Sequence, residues 1–261
     1  MQLIVDPLIQ QYFSTEHPLF EQIMRMHGQV FRELEGRRTQ RIALGEDTYF
    51  LKQHFGVGWQ EIFKNLFQFR LPVVSARNEW QAIQLLKKLA IPTMQVAAFG
   101  LRGANPARCQ SFILTHELME VVSLEDFCLN WQQFPVSLKW RIIKEVARIA
   151  RMMHQHGMNH RDFYICHFLL DKNTLTAHAP TLFLIDLHRA QIRRATPLRW
   201  LIKDLAGLYF SSKDIGLTSR DLLRFIREYR EQGLHHIIPK EIQFWQKVQT
   251  RGDKTYQRHG H

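Results

Sequence analysis

Asn159-His160-Arg161-Asp162-Phe163-Tyr164-Ile165-Cys166-His167-Phe168-Leu169-Leu170, followed by Leu182-Phe183-Leu184-Ile185-Asp186-Leu187-His188, decides how this chain is read. Asp162 stands just past Gly157, where a long helical pattern ends, and before the strand-like run Phe168 to Leu170. Asp186 comes 24 residues later and directly closes a second apolar run. A carboxylate at the end of such a run emerges at a strand tip, where it can meet a ligand.

Two acids in this layout, the first preceded by His-Arg, fit a phosphoryl-transfer centre. One acid takes a proton from a substrate hydroxyl and the other holds magnesium. Asp162 is the candidate base, and Asp186 the candidate magnesium ligand bridging to ATP phosphates. Either acid alone would read as a capping or salt-bridged aspartate; the pair at this spacing outweighs that. Leu187-His188 stand where protein kinases carry Phe-Gly, so a flipping activation switch is not expected. His167 is the fifth residue after Asp162, where a protein kinase has an asparagine for a second magnesium ion. Imidazole is a poor magnesium ligand. Either one ion suffices, or another oxygen replaces it, or His167 touches phosphate or substrate, or it is a buried hydrogen-bonded histidine.

Working outward, strands dominate the first third. Val30–Leu34 precedes Thr39–Leu44, a Gly45-Glu46-Asp47 turn and Thr48–His54, which reads as a hairpin. Lys52 lies on its second strand, where an inward amine can neutralise the α- and β-phosphates. Glu79 is its expected partner, with Glu61 the alternative. Trp59–Phe69 and Asn78–Leu89 show helical spacing, with a break at Pro72 between them. The aromatic groups Phe63, Phe67, Phe69 and Tyr209, Phe210 are expected in the core. Ser111–Leu118 reads as a buried strand whose end, at the backbone of Glu117 or Leu118, can hydrogen-bond adenine. Gly28 and Gly36 flank a possible phosphate-covering turn without a Gly-x-Gly-x-x-Gly pattern, and Arg37 and Arg38 can lend it charge.

Helices follow: a capped start at Ser123, a long helix from Ser137 to Gly157, and another from Thr218. Phe168–Leu170 and Leu182–Ile185 read as two strands around an Asp171-Lys172-Asn173 turn. Asp204 is expected to hold the His-Arg-Asp loop from behind. The expected architecture is α+β and bilobal, with a strand-rich lobe over 1–117 and a mainly helical catalytic lobe over 118–261.

The composition fits a folded chain: 261 residues, 45% hydrophobic and 23% charged. No apolar run nears the roughly 18 residues of a membrane span, and no secretory signal is expected at Met1–Pro7. Three scattered cysteines suggest a reducing cytosol rather than a disulfide framework or zinc site. With 35 Lys and Arg against 24 Asp and Glu, the net charge is +11. Such a field attracts nucleotide, anionic lipid or an acidic protein. The dispersed basic residues and the lack of any DNA-binding signature argue against nucleic acid.

The stretch Asn159–Leu170 and Ile185–Gln191 resembles the lipopolysaccharide core heptose(I) kinase family. So do Phe31–Thr39, Lys64-Asn65-Leu66, Glu79–Ile83, Lys203-Asp204-Leu205 and Leu208–Ser212. Phe163 departs from the cysteine frequent in that family, and the histidine at 167 is normal within it. The resemblance implies a protein-kinase-like fold and a Gram-negative enzyme peripheral to the cytosolic face of the inner membrane. It implies transfer of phosphate from ATP to the 4-hydroxyl of the first inner-core heptose of a lipid A-linked acceptor. Asp162 would be the base, Asp186 the metal ligand and Lys52 the phosphate ligand. An anionic membrane surface and acyl carrier protein are the implied partners. Two alternatives remain: a kinase for another hydroxyl acceptor, or a non-catalytic binding protein of pseudokinase type.

Overall fold

The computed structural model describes residues 1–34, 36–67 and 74–259, without the side chains of Glu61, Asn65 and Leu66. Glu35, Phe69, the break at Pro72 and Glu61 as an alternative partner of Lys52 thus lie outside the described residues. The chain divides into two compact units, residues 1–84 with 94–118 and residues 85–93 with 119–261.

The first unit contains β1 (Gln2–Val5), α1 (Pro7–Gln10), α2 (Leu19–Met24), β2 (Gln29–Leu34), β3 (Arg37–Leu44), β4 (Asp47–His54), α3 (Gly58–Phe67), most of α4 (Arg77–Lys88), β5 (Val96–Arg102) and β6 (Gln110–His116). Its strands form a six-stranded antiparallel sheet in the order β1-β5-β6-β4-β3-β2. The expected hairpin is β3–β4, with Leu44 opposite Asp47 across Gly45-Glu46. A two-residue connection fixes register, and side chains alternate across a strand. Tyr49 and Leu51 therefore enter a core with Phe20, Ile23, Ile42, Ala98, Phe112 and Leu114. Lys52 falls on the opposite face, beside Thr39 and Ile113 in register.

β1 and β5 escaped the sequence pattern. β5 is buried at Ala97, Ala98, Phe99, Gly100 and Leu101, so it shows no apolar–polar alternation to read. The aromatic residues of α3 correct another expectation. Phe63 and Phe67 are 52% and 83% exposed rather than core, and Trp59 beside them is 50% exposed. Their i, i+4, i+8 spacing puts them on one helix face. It is Ile62 that joins the small core of Val57 and Ala107.

The second unit contains β7 (Val121–Ser123), α5 (Leu124–Cys128), α6 (Val136–Gln155), β8 (Met158–Asn159), β9 (Phe168–Asp171), β10 (Leu182–Leu184), β11 (Gln191–Ile192), α7 (Leu198–Ser211), α8 (Ser219–Arg230) and α9 (Leu234–His259). β9 and β10 pair as expected, with β7 on the far side of β9. Thr218 and Asp221 form a full capping box on α8, and the Ser123 hydroxyl caps α5. α6 begins at Val136, since Pro135 is its N-cap, and buries Ile142, Val146, Ile149, Ala150 and Met153. An apolar cavity of about 430 Å³ lies in this unit, lined among others by Trp131, Ile142, Leu208, Phe225 and Trp245.

Where α6 ends, the chain turns straight into β8, which pairs with β11 just before His160. Gly157 makes the turn at φ +78, and its carbonyl accepts the Arg193 N–H at 2.9 Å. A Cβ there would lie 1.8 Å from the Arg193 carbonyl oxygen. Gly216 has a similar φ of +76, but its Cβ would meet only the flexible Gln132 amide. Gly157→Ala should therefore cost well beyond the ~1–2 kcal/mol of left-handed strain expected for Gly216→Ala. A thermal midpoint at least ~5 °C lower for the first variant is the expected result. Equal midpoints would refute the close-approach argument.

Candidate active site

The His160-Arg161-Asp162 loop is held from within. Asp204, fully buried on α7, accepts the His160 N–H at 2.6 Å and the Arg161 N–H at 2.9 Å. Its Oδ2 also lies 3.4 Å from His154 Nε2, and His154 Nδ1 is 2.8 Å from the Tyr229 hydroxyl. Two backbone donors on one carboxylate stabilise a loop conformation that the chain alone disfavours. Arg161 has φ +77, a region L-residues rarely enter. Asp204 thus does what the sequence suggested for it.

His160 joins this loop to the second acid. Its Nε2 donates to the Ile185 carbonyl at 2.9 Å, directly before Asp186. The ring is fully buried, and burial pushes its pKa down; a carbonyl oxygen only accepts, so Nε2 carries the hydrogen. Asp186 is itself left-handed, at φ 59, at the exit of β10.

Around the acids, one imidazole touches both segments. His167 Nδ1 donates to the Asp162 carbonyl at 2.7 Å, and its Nε2 faces Asp186 Oδ2 at 3.5 Å. His188 Nδ1 lies 2.6 Å from Asp186 Oδ1. The Asp162 carboxylate receives Arg189 Nη1 on both oxygens, at 2.8 and 3.1 Å. Asp162, His167 and Asp186 are therefore brought together within the second unit.

In the first unit, Lys52 Nζ lies 2.7 Å from Glu79 Oε1. Glu79 is 1% exposed and its Oε2 has no hydrogen-bond partner, so removing the ammonium would strand a buried carboxylate. Glu117 follows β6. Its backbone N–H is committed to the Thr48 carbonyl at 3.0 Å, which takes it from any adenine contact. The Glu117 side chain accepts from the Thr48 hydroxyl and from Arg41 Nε at 2.8 Å. Burial works against its charge, yet these two donors outweigh burial and hold the carboxyl below its ordinary range. Across the paired strands β2 and β3, Arg38 pairs with Glu33 at 2.6 Å.

Sequence reasoning gave no role to Arg189, His188 or Trp200, and it treated Lys203 and Arg193 as dispersed charge. Arg189 and His188 directly follow Asp186-Leu187, but no spacing rule says that a side chain there turns back onto Asp162. A metal would rest on a sparse donor set: among the described residues no cluster of three or more His, Cys, Asp or Glu is placed to hold one. Magnesium needs no such cluster, since it takes one or two carboxylates and fills its shell with water and phosphate oxygen. Asp186, with its side chain 32% exposed, offers hard carboxylate oxygen of the right chemistry.

Residues 21–229 match the family model described as lipopolysaccharide kinase (Kdo/WaaP) family. Lipopolysaccharide core heptose(I) kinase WaaP of Pseudomonas aeruginosa is 46% identical over 261 residues, covering 99% of this chain and 97% of that protein. The WaaP of Escherichia coli is 44% identical over 249 residues, covering 92% of this chain and 91% of the relative. The solved structure of WaaP in complex with acyl carrier protein superposes with a TM-score of 0.84 at 42% identity, over 98% of this chain and 100% of that one. With its kinase-like fold, the chain belongs to the lipopolysaccharide kinase (Kdo/WaaP) family and is an ATP-dependent kinase.

Proposed function

We propose that this kinase transfers the γ-phosphate of ATP to the 4-hydroxyl of the first inner-core heptose of lipopolysaccharide. The observation that carries the chemistry is the pairing of Asp162 and Asp186 around His167, on a loop fixed by Asp204. Residues 1–117 would cover the nucleotide, and 118–261 would carry catalysis and the acceptor.

Asp162 acts as the base. As the acceptor oxygen bonds to phosphorus, its proton passes to the carboxylate, ADP departs, and the proton is later lost to water. Arg189 holds both carboxylate oxygens and so sets the direction of the acceptor hydroxyl. Lys52, oriented by Glu79, neutralises α- and β-phosphate charge. Adenine would meet the Glu117 carbonyl or the Leu118 backbone. Magnesium on Asp186 would supply electrostatic stabilisation of the phosphates. His167 orients the Asp162 backbone and faces the phosphates from beside Asp186.

The acceptor is an anionic glycolipid, and the chain's +11 charge supports peripheral attachment to the anionic cytosolic face of the inner membrane. Among the described residues no helix is long and apolar enough to cross a membrane. Acyl carrier protein is a second proposed partner. The similar WaaP structure is a complex with it, and an acidic carrier suits a basic chain. The apolar cavity beside α6, α7 and α9 offers its acyl group a place out of water.

Asp162→Asn should lower turnover by about 10²–10⁴-fold on core lipopolysaccharide lacking core phosphate, with ATP affinity unchanged. Turnover within a few-fold of wild type would remove Asp162 from the role of base. Asp186→Asn should abolish the magnesium dependence of ATP binding seen by titration calorimetry; an unaltered magnesium titration would reassign the metal. Acylated carrier protein should raise the melting temperature more than the unacylated carrier at equal concentration. Identical shifts would take the cavity out of this reading.

A further inference from the structure

Trp200, in the first turn of α7, is ringed by positive charge. The cationic groups of Arg161, Arg199, Lys203 and Arg193 lie 5.2, 5.3, 5.5 and 5.8 Å from its ring centroid. An indole has two faces and cannot satisfy four cations by cation–π attraction alone. None of the four is ion-paired to a carboxylate among the described residues. Arg193 instead donates to the neutral oxygens of Asn159, at 2.6 Å, and Gln191. The nearby Asp162 carboxylate is already taken, through both oxygens, by Arg189.

This concentration of like charge opposes folding. Burial, and then the charges of neighbouring arginines, push the Arg161 guanidinium down from its ordinary range. Burial foremost brings Lys203 to about 8. Cations gathered at a cost beside a reacting group are explained when a ligand supplies the missing negative charge. Guanidinium and ammonium groups together match a carboxylate or a phosphate.

We propose that Arg161, Arg193 and Lys203, backed by Trp200, form a subsite for an oxyanion of the acceptor, next to the hydroxyl that Asp162 deprotonates. The inference rests on the acceptor reading above and deepens it. The accepted glycan is selected by a carboxylate or phosphate close to its reacting hydroxyl, and a neutral heptoside is a poor substrate.

The test is a steady-state comparison of wild type, Lys203→Gln and Lys203→Arg at low salt. Three acceptors are used: core lipopolysaccharide lacking core phosphate, the same material with lipid A phosphates removed, and the same material with its sugar carboxylates reduced to alcohols. On the first acceptor, Lys203→Gln should raise the acceptor KM by about tenfold or more, with ATP KM unchanged and the melting temperature not lowered, and Lys203→Arg should restore it. On whichever modified acceptor lacks the recognised anion, wild type should already show the raised KM, and Lys203→Gln should add nothing. That result also tells a carboxylate from a phosphate. A pH series adds a readout that a merely structural lysine would not give. Lys203 faces Asp162, Arg161 and Arg189, with Asp204 on its own helix. Wild-type acceptor KM should therefore rise above pH ~8, where the amine loses its proton, and stay flat in Lys203→Arg.

Equal KM values for wild type and Lys203→Gln on the first acceptor would overturn the subsite. A Lys203→Gln penalty of the same size on all three acceptors would overturn it as well. Failure of wild type to phosphorylate any of the three, with ATP bound, would remove the acceptor reading itself and this inference with it.

Discussion

A single buried carboxylate, that of Asp204, accepts the backbone N–H groups of His160 and Arg161, and the placement of Asp162 and Asp186 hangs on it. Buried donors left without partners are costly, so this carboxylate fixes the loop where secondary structure does not. Arg161 is held left-handed, which aims Asp162. From the same loop, the His160 ring reaches the Ile185 carbonyl and fixes the chain just before Asp186. Gly157 supports the loop from its other end, because only a residue without Cβ lets β8 approach β11 so closely.

Electrostatics shapes the same region in a second way. Acids and bases there do not simply neutralise one another. Asp204 is spent on backbone donors and Asp162 on Arg189, while Arg161, Arg193 and Lys203 gather around an indole. A chain optimised for stability alone would disperse such charge. Function sites commonly carry this kind of local penalty, with the rest of the fold compensating for it. Packed in the same unit are the apolar face of α6 and the contacts of His154 with Asp204 and Tyr229.

Much was legible from periodicity and punctuation. The β3–β4 hairpin announced itself by alternation around Gly45, α4 and α6 by their apolar stripes, and α8 by Thr218 and Asp221. β5 was not, because a strand buried on both faces has no alternation to detect. The exposure of Trp59, Phe63 and Phe67 was not legible either. A helical stripe shows that residues share a face, but whether another element covers that face depends on the rest of the chain.

For the site, the sequence by itself determined which residue types are present, and that one acid follows His-Arg while a second closes an apolar run 24 residues later. Local order is enough for that, since a strand end and a loop after a helix are short-range features. The tertiary structure alone decided the partners: Glu79 on Lys52, Arg189 on Asp162, the Glu117 N–H lost to Thr48, and the cations around Trp200. These contacts join residues far apart in sequence or set side-chain directions on irregular loops. Linear spacing carries no information on either, because only packing chooses the rotamer and the neighbour.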